Sequence, residues 1–429
     1  MRKKPQRNYC ILLIILIAVA LVVLPNTFNL AIVPTGALHV DGKYIKDLNN
    51  NIVILKGVNR GQFHDESTGA WGGWNTFDIN SVRFELDEMR SWGINVLRLY
   101  TAINFWKDDA QHRQYIKDVI SEARQRGIYV VYAPWTVVAR TGITAKFPYP
   151  PYISSSTITS TDDFVNYWSD VATELGSYDN VLFDLWNEAG GDINPTPSET
   201  QLWFNVVQQT INTIRSRSQN LIVISYRSPY YDNSGRSGEG IDWIYQYPLS
   251  GSNIVYSPHI YTNSMGYNPY STTYEQILNA FTYEKLNITD KPVWIGEIGC
   301  NLLMGQDELN RFNYSLSILN EWNIGYAAWE WWAGRIWSLN TNVWSSYPPS
   351  ASGEILKVAI AEENIPPPLT YSCPYGDGLS FGSQAELDAH VASAHPDMSP
   401  PKSFWQQIVD SWNAFWNWVY EILFKWWLG

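Results

Sequence analysis

From residue 37 onward, short apolar runs alternate with longer amphipathic stretches. Runs rich in Val, Ile, Leu and aromatic residues fall at 54–59, 95–101, 129–135, 181–188, 221–227, 254–261, 292–299 and 325–332, each of strand length. Between most of them apolar positions recur at helical spacing, at 81–92, 111–126, 162–177, 198–217, 273–286 and 307–322. Near-continuous apolar strands that alternate with amphipathic helices predict a parallel sheet covered by those helices. Eight such units predict an α/β fold closed into a (β/α)8 TIM barrel. Ahead of the first unit, 38–45 and 49–55 alternate in polarity around Asp41-Gly42. This is hairpin chemistry, expected to cap the barrel floor.

Both ends of the chain break the pattern. Arg2, Lys3, Lys4 and Arg7 precede an uncharged run at 9–33, most apolar at 11–24. That order predicts export, and the run is long enough to remain as a membrane anchor with the following residues outside the cell. Beyond the barrel, Ile365-Pro-Pro-Pro368 and Asp397-Met-Ser-Pro-Pro401 read as linkers. Between them Cys373, His390 and His395 are spaced like a two-Cys, two-His finger whose second Cys position holds Gly376. Three ligands do not close a structural zinc site, so no metal is expected. The last stretch places Phe404, Trp405, Ile408, Trp412, Phe415, Trp416, Val419, Ile422, Leu423, Trp426 and Trp427 on one helical face, opposite Gln406, Asp410, Asn413, Asn417 and Glu421. A spanning helix would not carry that polar stripe. The face suits packing against protein, or a helix lying on lipid. The predicted organisation is therefore a signal or anchor at 1–35, the barrel at 36–365, a degenerate finger-like segment at 366–401 and an amphipathic Trp-rich helix at 402–429.

Composition narrows the class of partner. A formal charge of -12, with no basic stripe in the body of the chain, excludes nucleic acid as the expected ligand. Three cysteines, Cys10, Cys300 and Cys373, are too scattered for a disulfide framework. Aromatic residues reach 15%, with 22 Trp and 27 Tyr, side chains whose flat faces and polar edges suit neutral sugar rings. Trp71, Trp74, Trp106, Trp135, Trp331 and Trp332 fall in or beside the predicted βα loops, where they would offer such faces, roughly half of them serving as ordinary packing.

Two glutamates carry the candidate chemistry. Glu188 ends Val181-Leu-Phe-Asp-Leu-Trp-Asn-Glu188, and Glu297 stands in Pro292-Val-Trp-Ile-Gly-Glu297. A carboxylate following several buried residues is costly to desolvate and needs a partner or a task. One such Glu alone is more often a salt-bridge partner. In a barrel, however, the C-terminal strand ends open on one face, and Arg98, Asn187, Glu188, Tyr226, His259, Tyr261, Glu297 and Trp329 all fall at or near those ends. Two facing carboxyl groups are what glycosidic bond cleavage requires: an acid to protonate the leaving oxygen, and a carboxylate to attack or to activate water.

Gly57-Val-Asn59, Arg98 in Val96-Leu-Arg-Leu99, Trp186-Asn-Glu188, His259-Ile-Tyr261, Gly296-Glu-Ile-Gly299 and Trp329, taken in order, resemble the family 5 glycoside hydrolases of the cellulase type. The resemblance spans 37–363 and implies a retaining enzyme without cofactor, with Glu188 as acid/base and Glu297 as nucleophile. It further implies Arg98 beside Glu297, Asn187 on the sugar 2-hydroxyl, His259 and Tyr261 orienting the carboxylates, and Trp329 flooring the sugar. Two positions depart from the family pattern: Ala189 follows Glu188 where Pro is usual, and Tyr132-Ala-Pro-Trp135 lacks the histidine often found there. The expected substrate is a β-linked polysaccharide or oligosaccharide, first a β-1,4-glucan cut by an endoglucanase, second a β-mannan, and the expected place is the outer face of the membrane or the medium. A carbohydrate-binding or structural barrel without catalysis is the alternative from another class.

Overall fold

The computed structural model describes residues 37–61, 77–139, 142–145, 160–187, 189, 197–225, 243–261, 291–333, 336–342, 346–361, 371–372 and 380–381. The expected anchor at 1–35, the helix at 273–286, Glu188, Tyr226, Trp71, Trp74, Cys373, His390, His395 and the helix at 402–429 lie outside the described residues. Among the described residues no helix is long and apolar enough to cross a membrane, and no cluster of His, Cys, Asp and Glu is fit to hold a metal ion.

The chain divides into two compact units, Met1–Glu363 and Asn364–Gly429. The second contributes one described pairing, β13 (Tyr371–Ser372) against β14 (Ser380–Phe381), antiparallel. The first opens with β1 (His39–Asp41) and β2 (Tyr44–Lys46), the hairpin expected around Asp41-Gly42. Leu38 and Ile45 bury against Leu55, Val96, Val131 and Trp294, so the hairpin packs on the apolar end of the barrel interior.

The sheet runs through β3 (Lys56–Arg60), β4 (Val96–Ala102), β5 (Tyr129–Ala139), β7 (Val181–Asp184), β8 (Ile222–Ser225), β9 (Ile254–Ser257), β10 (His259–Tyr261), β11 (Ile295–Gly299) and β12 (Tyr326–Trp329). All of these pair in parallel, in the order β10-β11-β12-β3-β4-β5-β7-β8-β9. Segments β9 and β10 are the halves of the single run expected at 254–261. Pro258 between them has no N–H to give the ladder, so one strand reads as two. With that strand counted once, the path is a nearly closed ring of eight, consistent with a (β/α)8 barrel. The bridge from Tyr256 to Val293 draws β9 toward β11 as well.

Helices α1 (Ile79–Ser91), α2 (Ile103–Asp108), α3 (Ala110–Gln125), α4 (Thr161–Leu175), α5 (Pro197–Arg215), α6 (Trp243–Gln246), α7 (Gln306–Glu321) and α8 (Ala351–Ala361) connect the strands. Their start signals are legible in the sequence: Asp78, Asp109 and Ser160 accept from backbone N–H groups of the first turns of α1, α3 and α4. One difference is an added antiparallel hairpin. β5 runs past its expected end to Ala139 and pairs with β6 (Gly142–Ala145). The β-branched stretch Thr136-Val-Val138 favours continued extension, which a reading of the barrel period alone misses.

Side chains alternate across each strand, so every second residue points into the barrel. Val96, Val131, Leu182, Val223, Val255 and Ala327 make an apolar layer inside the floor. Two residues further along the strands, the inward positions become Arg98, Asp184, Ser225 and Ser257, all buried. The interior thus changes from apolar to polar toward the C-terminal strand ends, where the candidate residues gather.

Candidate active site

Arg98 is the hub of that polar layer. It is fully buried, and its guanidinium reaches four neighbours on three other strands or strand ends. Nε and Nη2 both donate to Asp184 Oδ2 at 2.9 and 2.7 Å. Nη2 also donates to Asn187 Oδ1 at 2.8 Å, and Nη1 to Asn59 Oδ1 at 3.1 Å and Glu297 Oε1 at 3.0 Å. A planar cation with five donors meets this many acceptors at once; a lysine would not. Asn59 is itself held from its amide nitrogen, which donates to the carbonyls of Gly296 and Ala327 at 3.0 and 2.9 Å.

Glu297 receives the densest set of donors. Besides Arg98, Oε1 faces His259 Nδ1 at 3.3 Å and the Tyr100 hydroxyl, while Oε2 accepts from the Tyr261 hydroxyl. His259 Nε2 lies 3.4 Å from Ser225 Oγ, which donates to Asp184 Oδ2 at 3.0 Å. Burial pushes the Glu297 carboxyl up, but His259, Arg98 and the Tyr100 and Tyr261 hydroxyls outweigh it and hold the group below the ordinary carboxylate range. Asp184 moves the other way, because full burial exceeds what Arg98 returns to it. Two carboxylates that share one arginine are thus pushed in opposite directions, Glu297 down and Asp184 up.

The sequence Gly296-Glu-Ile-Gly299 explains how side chains of β9 and β10 reach across β11. A Cβ on Gly296 would meet Ser257 Oγ at 2.3 Å and His259 Nε2 at 2.9 Å, and one on Gly299 would meet Tyr261 Cε1 at 2.3 Å. The glycines leave the space that His259 and Tyr261 occupy. Gly299→Ala is therefore expected to push Tyr261 off Glu297. Activity should fall roughly 10-fold, for one lost hydrogen bond to a charged group, and the thermal midpoint should fall too, because the ring and Trp337 must shift to admit the methyl; unchanged kinetics would show the contact to be idle.

Asn187 is anchored twice. Its backbone N–H donates to Pro134 O at 3.1 Å, and its side-chain oxygen accepts from Arg98 and, at 2.7 Å, from the Tyr100 hydroxyl. With the oxygen end held, the Nδ2 end has no partner among the described residues and is available as a donor. Trp329 is half-buried at the end of β12, with its ring edge-on to Tyr100 at 5.0 Å between centroids. Trp337 packs edge-on against Tyr261 at 5.2 Å.

The structure therefore brings Arg98, Asn187, His259, Tyr261, Glu297 and Trp329 to one end of one barrel, with Glu188 outside the described residues. It adds Tyr100, Asp184 and Ser225, which sequence reasoning passed over. The signal for Tyr100 and Asp184 was the strand period: Tyr100 is two positions from Arg98, and Asp184 opens the polar end of an apolar strand. Trp106 and Trp331 are fully buried and Trp332 nearly so, which puts these three among the half expected to serve as packing. Trp106 donates to Asp170 at 2.8 Å and carries Arg113 on its face, and Trp331 stacks on Tyr347; both are packing residues.

The fold and sequence have known counterparts. An endoglucanase of Clostridium saccharobutylicum is 23% identical over 269 residues, 60% of this chain and 51% of that protein. A mannan endo-1,4-beta-mannosidase of Cellvibrio japonicus is 22% identical over 310 residues, 70% of this chain and 60% of that one. The chain thus spans about half the length of the first of these relatives. Among solved structures, the catalytic domain of a Thermobifida fusca endoglucanase superposes with a TM-score of 0.54 at 20% identity, covering 76% of this chain and 97% of that one. A Pyrococcus horikoshii endocellulase in complex with cellotetraose gives 0.58 at 20% identity, covering 76% and 99%. Likeness at such identity speaks for the barrel fold. The sequence profile of Cellulase (glycosyl hydrolase family 5) matches residues 57–335, well over half of the chain, and by that match the chain belongs to glycosyl hydrolase family 5.

Proposed function

We propose that this chain is a retaining β-glycoside hydrolase in which Glu297 is the nucleophile and Glu188 the acid/base. The observation that carries the reading is the environment of Glu297: a buried carboxylate kept ionised by Arg98 and His259 and bonded by two phenols. In the first step a Glu297 oxygen bonds to the anomeric carbon, the glycosidic C–O bond breaks toward the leaving oxygen, and that oxygen takes the proton of Glu188. In the second, water gives a proton to Glu188 while its oxygen displaces the Glu297 carboxylate. Asn187, its oxygen end already held, would donate from Nδ2 to the sugar 2-hydroxyl.

The substrate we assign is a β-1,4-glucan cleaved internally, with β-mannan second. Relatives named endoglucanase and mannan endo-1,4-beta-mannosidase, and a neighbour in complex with cellotetraose, support that order. The half-buried Trp329 beside the site supplies a flat apolar face of the kind a pyranose stacks on. The basic and then apolar N-terminal stretch supports placement outside the cytoplasm, tested by fractionating cells that express the chain with and without residues 1–35.

The test of function is hydrolysis of carboxymethyl-cellulose, mannan and xylan followed by proton NMR of the earliest product. A β-anomer appearing first on a glucan establishes retention and the glycan. An α-anomer first would overturn the assignment of Glu297 as nucleophile, and no hydrolysis of any β-glycan would favour a binding barrel.

A further inference from the structure

Tyr100 is buried at the centre of the site, yet no motif singled it out. Its place follows from the strand: it is two residues beyond Arg98, on the same inward face, and its register neighbour on β5 is Ala133, whose small side chain leaves room for a phenol. Arg98 Nη1 lies beside the hydroxyl, but its two hydrogens already serve Asn59 and Glu297, so the bonds of Tyr100 to its other neighbours turn on its own single proton. Among the described residues two oxygens stand within reach, Glu297 Oε1 and Asn187 Oδ1 at 2.7 Å. One proton cannot serve both. The ring is fixed independently, under the Arg98 guanidinium at 4.7 Å and edge-on to Trp329, so choosing between the acceptors requires only rotation about the C–O bond.

We infer that Tyr100 is a positioning residue whose proton alternates between the Glu297 carboxylate and the Asn187 amide as the reaction proceeds. This rests on the assignment of Glu297 as nucleophile. While Glu297 is ionised, the charge-assisted bond to Oε1 is the stronger and takes the proton. Once Glu297 is an ester of the sugar it has lost its charge, and the Asn187 oxygen becomes the better acceptor. Donation into that oxygen polarises the amide and strengthens the bond its Nδ2 gives to the sugar 2-hydroxyl, so the gain falls on the step in which water releases the sugar. Tyr100 would thus restrain the resting nucleophile and assist the second step, without touching the substrate.

The decisive variant is Tyr100→Phe, which keeps the ring and removes the proton. With a dinitrophenyl β-cellobioside, whose activated leaving group makes the second step limiting, kcat is expected to fall roughly 10-fold while the pre-steady-state burst is retained. The acid limb of the kcat/KM profile should move up, because the charged form of Glu297 has lost a donor. Site-specific replacement of Tyr100 by 3-fluorotyrosine, a stronger donor in the same shape, should move that limb down. A fall in both steps together with no movement of the acid limb would overturn the inference and leave Tyr100 a packing residue, as would kinetics equal to wild type. If Tyr100→Phe does not fold, as judged by circular dichroism, the fluorotyrosine protein decides alone: an unmoved limb overturns the inference. Absence of burst and turnover in the wild type would instead refute the assignment of Glu297.

Discussion

Glu297→Gln is expected to lower kcat/KM by at least ~10⁴-fold, since the covalent route disappears and only binding and the remaining dipoles are left. The size follows from what the amide cannot do. Glutamine fills the same space beside Tyr261 and Tyr100, but it carries no charge to attack the anomeric carbon. The fold should hold with a modest loss of stability, that of the Glu297 charge, because Arg98 keeps its two hydrogen bonds to Asp184 Oδ2 at 2.7 and 2.9 Å. The loss would therefore be one of chemistry and not of folding, which a thermal melt run alongside the kinetics separates. Glu297→Ala with added azide sharpens the assignment. A small anion entering the vacated space attacks from the nucleophile's side, so the azide product should have the α configuration. With Glu188→Ala the glycosyl-enzyme still forms from an activated aryl glycoside, which needs no proton, and azide should give the β product. Activity of Glu297→Gln equal to wild type, or exchanged product configurations, would sink the assignment.

The periods of the sequence carried most of the fold, because strand and helix spacing depend on local burial alone. The eight runs emerged as the staves of one barrel, and the Asp-Gly hairpin lies against its floor. What the period could not show was where a strand continues for its own reasons, as at Thr136-Val-Val138, or where Pro258 divides one stave in two. The site was legible to the extent that it follows chain order. Arg98, Asn187, His259, Tyr261, Glu297 and Trp329 could be named because each stands in a motif near a strand end, and the motifs taken in order carry the family resemblance. Tyr100, Asp184 and Ser225 could not, since a Tyr, an Asp or a Ser within an apolar run is equally at home as a satisfied core residue. Their meaning lies in converging on Arg98 and His259, and that depends on the closure of the ring. For the tryptophans the sequence could say that about half would pack but not which: Trp106 and Trp331 sit near loops in sequence and turn into the packing between strands and helices.

Arg98→Met is expected to be the most destabilising single change at the site, by about 3–5 kcal/mol, the usual consequence of removing one partner from a buried ion pair. Methionine fills the volume, so the cost does not come from a cavity. It comes from Asp184 and Glu297, both buried, which lose their shared cation. The pH dependence gives the mechanism a sign. In the wild type the folded Glu297 carboxyl lies below its ordinary value of 4.5, so its stabilising contribution is complete above that value and is lost as pH falls through the lower folded one. Without Arg98, Asp184, which burial already holds above its ordinary value, would rise further, and Glu297 would lose one of the groups that hold it down and move up. A raised carboxyl destabilises the fold near neutrality and relieves it on acidification, when the folded protein takes up protons that the unfolded chain does not yet hold. Denaturant titrations should therefore show the gap between wild type and Arg98→Met widest near neutral pH and narrowing as pH drops toward about 4.5. Adding Asp184→Asn to Arg98→Met should recover part of the loss near neutrality, since one of the two stranded charges is then gone. A gap independent of pH, with no recovery in the double variant, would mean that Arg98 stabilises the barrel through packing and that its charge does not govern the ionisation of Glu297.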